Sequence, residues 1–260
     1  MPRIQLPTRF SRRDFLAAAG GVTLLDAAVE DKEKLPVVAR RVEKAFRAPG
    51  KMPNALQGVP DGLWILDQED PNKVHQVRYQ DGSVLVELQT ESIHGSGITY
   101  GNGALWIGST WSLKTLKVDP RTGKTLASFD TPGAGMNKFG NPTRPSGAHG
   151  LEWVDGKYWM AVPASGKIYR MDPETGKVLQ EIPGPGVRTH GLAWDNGYLW
   201  CVETQDRAIY KLDPKDGRLL AKIQLSKQDP EPHGFTLWNG VFWYCDATSK
   251  EHRGWVCRLV

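Results

Sequence analysis

The sequence predicts an all-β fold, a five-bladed β-propeller with four-stranded antiparallel blades, on three observations. A histidine followed by glycine and, ten residues later, by tryptophan recurs at His149, His190 and His233. Tryptophans recur along the whole chain at intervals of 42, 53, 41 and 43 residues. Asn-Gly, Asp-Gly and Asp-Pro-x-x-Gly turns separate short apolar stretches. A repeat of about 40 residues made of short strands is typical of propeller blades.

The first two strands of each repeat are predicted from the turn between them. The inner strand opens at the His-Gly pair, and a two-residue turn leads into the strand that carries the tryptophan. Asn-Gly and Asp-Gly favour such turns because both positions need positive φ. We find them at 61–62, 102–103, 155–156, 196–197 and 239–240. The tryptophans that follow are Trp64, Trp106, Trp159, Trp200 and Trp243.

The third and fourth strands flank a second kind of turn. Asp-Pro-x-x-Gly stands at 119–123, 172–176 and 213–217. Aspartate at the first corner, proline at the second and glycine in the left-handed position favour a type I turn with a bulge. An outer strand then ends each unit, as at 177–182.

The last repeat lacks an outer strand, and the other end of the chain supplies a candidate. The final unit ends at Val260 after three strands. Residues 41–50 resemble the outer-strand segment 177–186. An N-terminal strand that completes the C-terminal blade would close the ring and cover two sheet edges. We therefore expect a single propeller domain within residues 31–260.

The first 30 residues carry the pattern of an export signal. Ser11, Arg12, Arg13, Phe15 and Leu16 match the twin-arginine motif and precede a short apolar run. Such a segment is an address and is set apart from the fold. It predicts a periplasmic or secreted protein; the alternative is an exposed basic helix. The sequence contains no run of 18 apolar residues, so we predict no membrane-spanning helix from it.

Composition narrows the class of partner. The net charge is only +4 and the basic residues are scattered, which argues against a nucleic-acid surface. A small molecule or peptide is the expected partner, and oligomeric state is left open. The three cysteines form no metal-binding spacing; Cys245 and Cys257 either form a cross-strand disulfide or are buried thiols.

The repeated histidines should converge on the propeller axis. We expect the residue that opens each inner strand to face the channel, with His94 close by. Three or four neutral imidazoles on one axis predict a site for Zn²⁺ or another first-row divalent metal. The alternative is a structural ring whose histidines bond neighbouring blades. The predicted metal ligands are His149, His190, His233 and His94.

A second ring is expected three residues after each tryptophan. Its carboxylates, Asp67, Glu203 and Asp246, are the predicted general acids and bases, because they could shuttle protons beside a metal. The substrate pocket is predicted to contain Gln57, Ser96, Arg144 and Arg188. The Gly-rich insertion at 133–147 should form a lid or wall of this pocket, or else a disordered decoration.

The repeat resembles known propeller families from about residue 50 onward. H-G-L-x-W, seen at His149 and His190, and the following I-Y-x-x-D-P-x-x-G are similar to NHL and streptogramin-lyase-like propellers and to five-bladed glutaminyl cyclotransferases. Peptide-amidating lyases of the NHL type hold zinc on the axis through histidines, which the resemblance carries to His149, His190 and His233. Cyclotransferases place glutamate in the axial ring, where this chain has glutamine, serine and histidines.

These observations favour an exported propeller with an axial metal, acting as a lyase or hydrolase on a small extracytoplasmic substrate. Two alternatives stay open. One is a non-enzymatic propeller that binds a ligand or protein and keeps its histidines for structure. The other is a glutaminyl-peptide cyclotransferase-like enzyme with an altered site.

Overall fold

Five four-stranded sheets are arranged as the blades of a propeller in a computed structural model that describes residues 32–247 and 254–260. The described residues form twenty strands and no helix. The predicted five-bladed all-β fold is therefore confirmed. The export signal predicted at residues 1–30 lies outside the described residues.

Four blades are continuous in sequence, and their strands run antiparallel from the axis outward. The first blade contains β2 Pro53–Val59, β3 Gly62–Asp67, β4 Lys73–Val77 and β5 Val84–Gln89. The second contains β6 Gly95–Gly101, β7 Ala104–Ser109, β8 Lys114–Val118 and β9 Thr125–Asp130. The third contains β10 Gly150–Val154, β11 Lys157–Val162, β12 Lys167–Met171 and β13 Val178–Pro183. The fourth contains β14 Thr189–Asp195, β15 Tyr198–Glu203, β16 Ala208–Leu212 and β17 Leu219–Gln224.

The fifth blade joins the two ends of the propeller. Its strands are β18 Phe235–Trp238, β19 Val241–Cys245, β20 Trp255–Leu259 and β1 Val42–Arg47. Strand β1 pairs antiparallel with β20, from Val42 opposite Leu259 to Arg47 opposite Trp255. The predicted closure of the ring by an N-terminal strand is confirmed, and pairing removes two open edges.

The hairpin turns follow the predicted chemistry in four blades. Asn102, Asp155, Asn196 and Asn239 have positive φ, and each is followed by a glycine that also does. The first blade differs, because β2 continues to Val59 and the turn is made by residues 60–61. Proline at position 60 fixes a negative φ there, which excludes the turn with two positive φ values.

The Asp-Pro-x-x-Gly turns also form as predicted. Gly123, Gly176 and Gly217 have φ between 66° and 80°. The N–H of each glycine donates to the carbonyl of the aspartate that opens its turn, at 2.8–2.9 Å. The pairing register shifts directly beside each of these turns, as a bulge requires.

The core lies between blades rather than at the axis. The five repeated tryptophans are all buried, and each belongs to an apolar cluster. Between the second and third blades, for example, Trp106 packs against Tyr158 with ring centroids 5.2 Å apart. The tryptophans therefore hold neighbouring blades together, which leaves the axis to polar side chains.

Two smaller expectations can be compared with the described residues. Cys201, Cys245 and Cys257 are buried free thiols. Cys257 stands opposite Tyr244 while Cys245 stands opposite Val256, so the two thiols project to opposite faces of the sheet. No helix long and apolar enough to cross a membrane occurs in the part of the chain described here.

Candidate functional site

A pocket of about 380 Å³ opens at the end of the channel where the inner strands begin. Its base and walls come from all five blades and from the insertion at 133–147. The predicted residues His94, Arg144, His149, Arg188, His190 and His233 all line it. Met52, Asn54, Gln68, Thr110, Trp111, Asn137, Phe139, Asn141, Pro142, Thr143, Ser146 and Ala247 complete the lining.

The three repeated histidines form a continuous file across this pocket. The ring centroids of His149 and His190 are 4.8 Å apart and nearly perpendicular, and His190 and His233 repeat the same geometry. His149 Nδ1 lies 3.2 Å from His190 Nε2. The prediction that blade symmetry brings these imidazoles together is therefore confirmed in its geometry.

Neighbouring groups fix the tautomer of each ring. His190 Nδ1 lies 3.1 Å from the Arg188 carbonyl and 3.1 Å from the Thr204 hydroxyl, which itself donates to the Pro232 carbonyl. Both partners can only accept, so Nδ1 of His190 carries the proton and its Nε2 is an acceptor. His149 Nδ1 must then donate to that Nε2. The remaining His149 Nε2 accepts the Ser146 hydroxyl at 2.8 Å.

His233 has the same arrangement. Its Nδ1 faces the Glu231 carbonyl at 3.4 Å, and its Nε2 lies 3.3 Å from Arg188 Nη2, a donor. A carboxylate oxygen of Glu231 lies slightly farther from this Nε2, at 3.5 Å, and is itself contacted by Arg188. The three rings thus share one state, with a proton on Nδ1 and a lone pair on Nε2. An oriented lone pair of this kind can accept a proton from a bound substrate.

The electrostatics keep these rings neutral. Burial lowers the pKa of His149 and of His190 well below the usual value of 6.5, and the adjacent imidazole lowers each further. Burial, followed by the Arg188 charge, lowers the pKa of His233 to about 3. Neutral imidazoles at physiological pH are bases rather than cations, which suits proton abstraction.

The arrangement does not fit the predicted metal site. The three Nε2 lone pairs point to Ser146, to the next ring and to Arg188 rather than to one shared point. Among the described residues, no group of three histidine, cysteine or acidic side chains meets in a geometry that could hold a metal ion. A metal would need these hydrogen bonds to break, and the axial metal site stays a prediction from the sequence.

Arg188 supplies a positive charge beside the histidine file, and Arg144 supplies another in the same pocket. Its Nη1 lies 3.3 Å from a carboxylate oxygen of Glu231, at the rim, while its buried Nε has no hydrogen-bond partner. The guanidinium also lies over the Phe139 ring, 5.5 Å from its centroid. Each terminal nitrogen of Arg188 carries two N–H groups and makes one side-chain contact, Nη1 to Glu231 and Nη2 to His233. Arg188 can therefore still donate a hydrogen bond to an oxygen atom within the pocket.

His94 lies apart from the histidine file. Its ring stacks on Trp111 with centroids 3.8 Å apart, and the Arg144 guanidinium lies 4.3 Å from the centre of the same Trp111 ring. Burial, with the Arg144 charge, lowers the pKa of His94 to about 4. His94 thus lines the same pocket but is held by Trp111 rather than by the other three histidines, so its role as a fourth metal ligand stays a prediction.

The insertion forms a wall of the pocket, one of the two outcomes expected from its composition. It contributes Asn137, Phe139, Arg144 and Ser146 to the lining. Residues Gly135 and Ser146 bond to each other through both backbone groups, at 2.8 and 3.1 Å, which closes the insertion into a compact loop. Phe139 meets the His149 ring edge to face at 6.2 Å.

Gln57, predicted as part of the pocket, does not line it. Gln57 stands opposite Trp64 in the first blade, as Glu152 stands opposite Trp159 in the third, so these two residues occupy equivalent positions. The position equivalent to the histidines is therefore Asn54, ten residues before Trp64. Asn54 donates to Ser96 Oγ at 3.2 Å, so Ser96 supports the wall from behind rather than lining it.

Deeper in the channel, a lower ring links the blades. Thr99 donates to Gln57 at 2.7 Å, the Trp153 N–H donates to Thr99 at 2.9 Å, and the Trp194 N–H donates to Glu152 at 3.3 Å. Gln57 thus joins two blades instead of contacting the pocket. Burial raises the pKa of Glu152 to about 8, which keeps this acid protonated at neutral pH.

The carboxylates predicted as acids and bases bind backbone amides. Asp67 accepts the N–H groups of Lys51 and Met52 at 2.7 and 2.8 Å, and Glu203 accepts the Arg188 N–H at 2.9 Å. Neither lines the pocket. Burial raises the pKa of Glu203 to about 7. These two carboxylates hold the loops that enter the inner strands, so their catalytic role is a prediction without a contact to support it.

Asp246 and Ser109 also stand three residues after a repeated tryptophan, as Asp67 and Glu203 do. Ser109 accepts the Ile93 N–H at 2.8 Å, which repeats the role of Asp67 and Glu203 with a hydroxyl. Asp246 follows β19, and its N–H donates to the Trp255 carbonyl at 2.9 Å. Its neighbour Ala247 lines the pocket, whereas Asp246 does not.

Solved structures with the same fold are similar to this chain at low sequence identity. Glutaminyl cyclase from Myxococcus xanthus superimposes with a TM-score of 0.60 at 13% identity, over 86% of this chain and 98% of that one. A streptogramin B lyase gives 0.50 at 16%, over 85% and 97%. A catalytically inactive histidine-to-alanine variant of virginiamycin B lyase from Staphylococcus aureus, with quinupristin, gives 0.50 at 18%, over 80% and 68%.

At these identities the likeness defines the fold alone. No model of a protein family matches the chain, and no curated protein matches its sequence. The class that the structure supports is therefore a five-bladed propeller with the architecture of the glutaminyl cyclase and streptogramin lyase structures.

Proposed function

We propose that the axial pocket is the active site of a lyase or hydrolase that acts on a small substrate through an imidazole base. One observation carries this proposal: a neutral imidazole, His149, whose tautomer is fixed by its neighbours, borders a pocket that also contains the Arg188 guanidinium. A base and a positively charged donor in one cavity are what proton transfer next to a carbonyl group requires.

The chemistry assigns one role to each residue. Arg188 would bind the carbonyl oxygen of the substrate and stabilise the negative charge that develops there. His149 Nε2 would take a proton, either from the carbon next to that carbonyl in an elimination or from water in a hydrolysis. His190 accepts the His149 Nδ1–H and keeps the ring oriented throughout. The proton returns to the leaving group from the same imidazole.

The comparisons support the proposal at the level of architecture. One neighbouring structure is a lyase whose histidine-to-alanine variant is catalytically inactive and contains quinupristin. A pocket lined by histidines in a propeller is therefore a reasonable place for lyase chemistry. The proposal includes export, because the twin-arginine pattern at 11–16 would deliver the protein to an extracytoplasmic substrate.

The experiment measures turnover of quinupristin and of a panel of small esters in water enriched in heavy oxygen. Elimination incorporates no heavy oxygen into the products, whereas hydrolysis incorporates one atom. We expect turnover by one of the two routes and a loss of about 100-fold or more in His149→Gln, the usual contribution of a general base. The matched control is His75→Gln, since His75 contacts Glu87 in the first blade, away from the pocket.

A binding protein is the second candidate, because every nitrogen of the histidine file has a partner within the protein. Such saturation is also what a purely structural ring would display. Binding of a panel compound with no turnover in any condition would support this candidate and contradict the enzyme proposal.

Glutaminyl cyclisation is tested in the same series with a peptide that begins with glutamine. We expect no turnover, since asparagine, serine and three histidines, and no glutamate, stand ten residues before the five repeated tryptophans. Formation of a cyclised product would overturn this assignment and favour the glutaminyl cyclase chemistry of the structural neighbour.

A further inference from the structure

We propose that Ser146 is a nucleophile, activated by His149 and oriented through His190, which gives the pocket a covalent esterase-type activity. The two residues come from different parts of the architecture, because Ser146 ends the insertion and His149 stands at the mouth of the channel. This inference rests on the proposed function in one respect, the role of His149 as the base.

The contact between nucleophile and base is short and protected. Ser146 Oγ lies 2.8 Å from His149 Nε2, and Ser146 is only 4% exposed while still lining the pocket. Since His149 Nδ1 carries the ring proton, the hydroxyl must be the donor in this bond. A serine O–H that donates to an imidazole lone pair is the arrangement from which a general base removes the proton.

A third group orients the base. His149 Nδ1 donates to His190 Nε2 at 3.2 Å, and His190 Nδ1 donates to the Arg188 carbonyl at 3.1 Å. The series runs hydroxyl, imidazole, imidazole, carbonyl, with every donor directed the same way. Nucleophile, base and orienting group define this kind of site by their geometry, irrespective of fold or order in the chain.

The backbone holds Ser146 in place. Its N–H and carbonyl both bond to Gly135, and the next residue, Gly147, donates its N–H to the Thr110 carbonyl at 2.9 Å. The hydroxyl is therefore presented by a braced segment instead of a free loop end. Rigid placement of the reacting group is a main source of rate enhancement, since it removes the entropy of orientation from the activation step.

The reaction balances with water as the only co-reactant. Ser146 Oγ attacks the ester carbonyl carbon while its proton passes to His149 Nε2, and Arg188 stabilises the oxyanion. The C–O bond of the ester then breaks, and the leaving alcohol takes the proton from His149. Water repeats the sequence on the acyl-serine, so one ester and one water give one acid and one alcohol.

The pocket walls indicate the class of substrate. Phe139 and Trp111 provide aromatic surface, and Arg188 lies beside Phe139 at 5.5 Å. No aspartate or glutamate is found among the described residues that line the pocket. A small ester with an apolar or aromatic acyl group fits these surroundings, because its carbonyl meets Arg188 while its acyl group packs on the rings.

The test uses phenylmethylsulfonyl fluoride on the full-length protein, read by intact mass and peptide mapping. Its sulfur accepts the serine oxygen, the S–F bond breaks, and the proton leaves with fluoride. We expect a single label on Ser146, loss of that label in Ser146→Ala, and labelling slowed about 100-fold or more in His149→Gln. The matched control, Ser165→Ala, removes a hydroxyl that bonds only to backbone and should label at the wild-type rate.

Labelling at another residue, equal labelling in Ser146→Ala, or no label on the folded protein would each overturn the proposal. Ser146→Cys guards against a folding defect in the alanine variant, and it should accumulate a thioester from p-nitrophenyl acetate. Turnover that survives Ser146→Ala would contradict this inference while leaving His149 as the base. Labelling of Ser146 without turnover of any substrate would leave Ser146 as an activated nucleophile but would contradict both the esterase activity and the proposed function.

Discussion

The three axial imidazoles, taken residue by residue, owe their shared state to what surrounds them. Each has an Nδ1 directed at an acceptor and an Nε2 directed at a donor. Burial penalises the charged form, and Arg188 penalises it further at His149, His190 and His233. The three rings are therefore unprotonated and available as bases at neutral pH, and a proton accepted from substrate is held weakly enough to pass on to the leaving group.

The carboxylate of Glu203 is expected to stabilise the fold by accepting the Arg188 N–H and not to take part in catalysis. Glu203→Gln keeps an oxygen acceptor for the Arg188 N–H, so we expect turnover close to the wild type. Glu203→Ala leaves that buried N–H without a partner and should lower the free energy of unfolding by about 1–3 kcal/mol. Urea unfolding and steady-state kinetics measure both. Equal loss of turnover in the two variants would instead make Glu203 a catalytic residue.

Metal binding is the second prediction that concerns single residues. Because the three Nε2 lone pairs already accept hydrogen bonds, we expect protein from zinc-supplemented medium to hold far less than one equivalent of zinc. Elemental analysis after gel filtration gives the ratio. One tightly held equivalent, lost in the folded variant His149→Ala His190→Ala, would restore the axial metal site predicted from the sequence.

The histidine file could be predicted from the sequence, but two other residues of the pocket, Asn54 and Ser146, were not predicted. The ten-residue spacing that leads from His149 to Trp159 also leads from Asn54 to Trp64, so Asn54 could have been found by counting. Gln57 stands three residues further along the same strand, at the position of Glu152 in the third blade, and therefore lies below the pocket. Ser146 had no comparable signal, since its approach to His149 depends on the path of an irregular insertion.

Among the elements, the closing strand β1 determines whether the ring is complete. Phe46 is 7% exposed and packs against Trp243, with centroids 6.4 Å apart. Trp243 belongs to β19 of the same blade, so this contact joins two residues that are nearly 200 positions apart in the sequence. The sequence predicted this strand because residues 41–50 repeat the pattern of an outer strand and the last blade lacks one.

Phe46→Ala tests the closure directly. Removing a buried phenylalanine leaves a cavity and should lower the free energy of unfolding by about 3–5 kcal/mol. The matched control is Leu126→Ala in β9, an outer-strand residue that is 59% exposed, where we expect a change within about 0.5 kcal/mol. Denaturant unfolding provides both values. A small effect at Phe46 would mean that the fifth blade is stable without β1.

The hairpin turns were predicted correctly in four blades, whereas the turn of the first blade and the path of the insertion were not. Asn102 and Asn196 adopt positive φ because asparagine tolerates the left-handed region, and the sequence signal for such turns is local. At 60–62 the same signal was overridden by Pro60. The insertion at 133–147 has no repeat partner, so its role as a pocket wall depends on tertiary contacts that no local pattern encodes.

At the scale of the whole molecule, two groups of buried residues oppose each other as pH changes. Depressed pKa values at His94 and His233, about 4 and 3, mean that the unfolded chain binds protons below pH 6.5 that the folded protein does not. Raised pKa values at Glu152 and Glu203, about 8 and 7, mean that the folded protein keeps protons above pH 4.5 that the unfolded chain releases.

The sign of each contribution follows from this difference in bound protons. The four histidines with lowered pKa values, which include His149 and His190, make stability fall as pH decreases below about 6.5. The two glutamates make it fall as pH rises from about 4.5 to about 8, and they are outnumbered by the histidines below pH 6.5. We therefore expect the free energy of unfolding to be largest near pH 6.5. Glu152→Gln should flatten the alkaline side, whereas exposed Glu174→Gln should not. A steady rise in stability from pH 6.5 to 9 in the wild type would contradict this account.

Nitrogen-15 NMR of the imidazoles tests whether His149 is a neutral base with its lone pair on Nε2. Spectra at pH 5.5 to 7, assigned with single histidine-to-glutamine variants, report the protonation of each ring nitrogen. We predict a protonated Nδ1 and an unprotonated Nε2 at His149, His190 and His233 throughout. A proton on Nε2 of His149, or an imidazolium signal there at pH 6, would contradict the account.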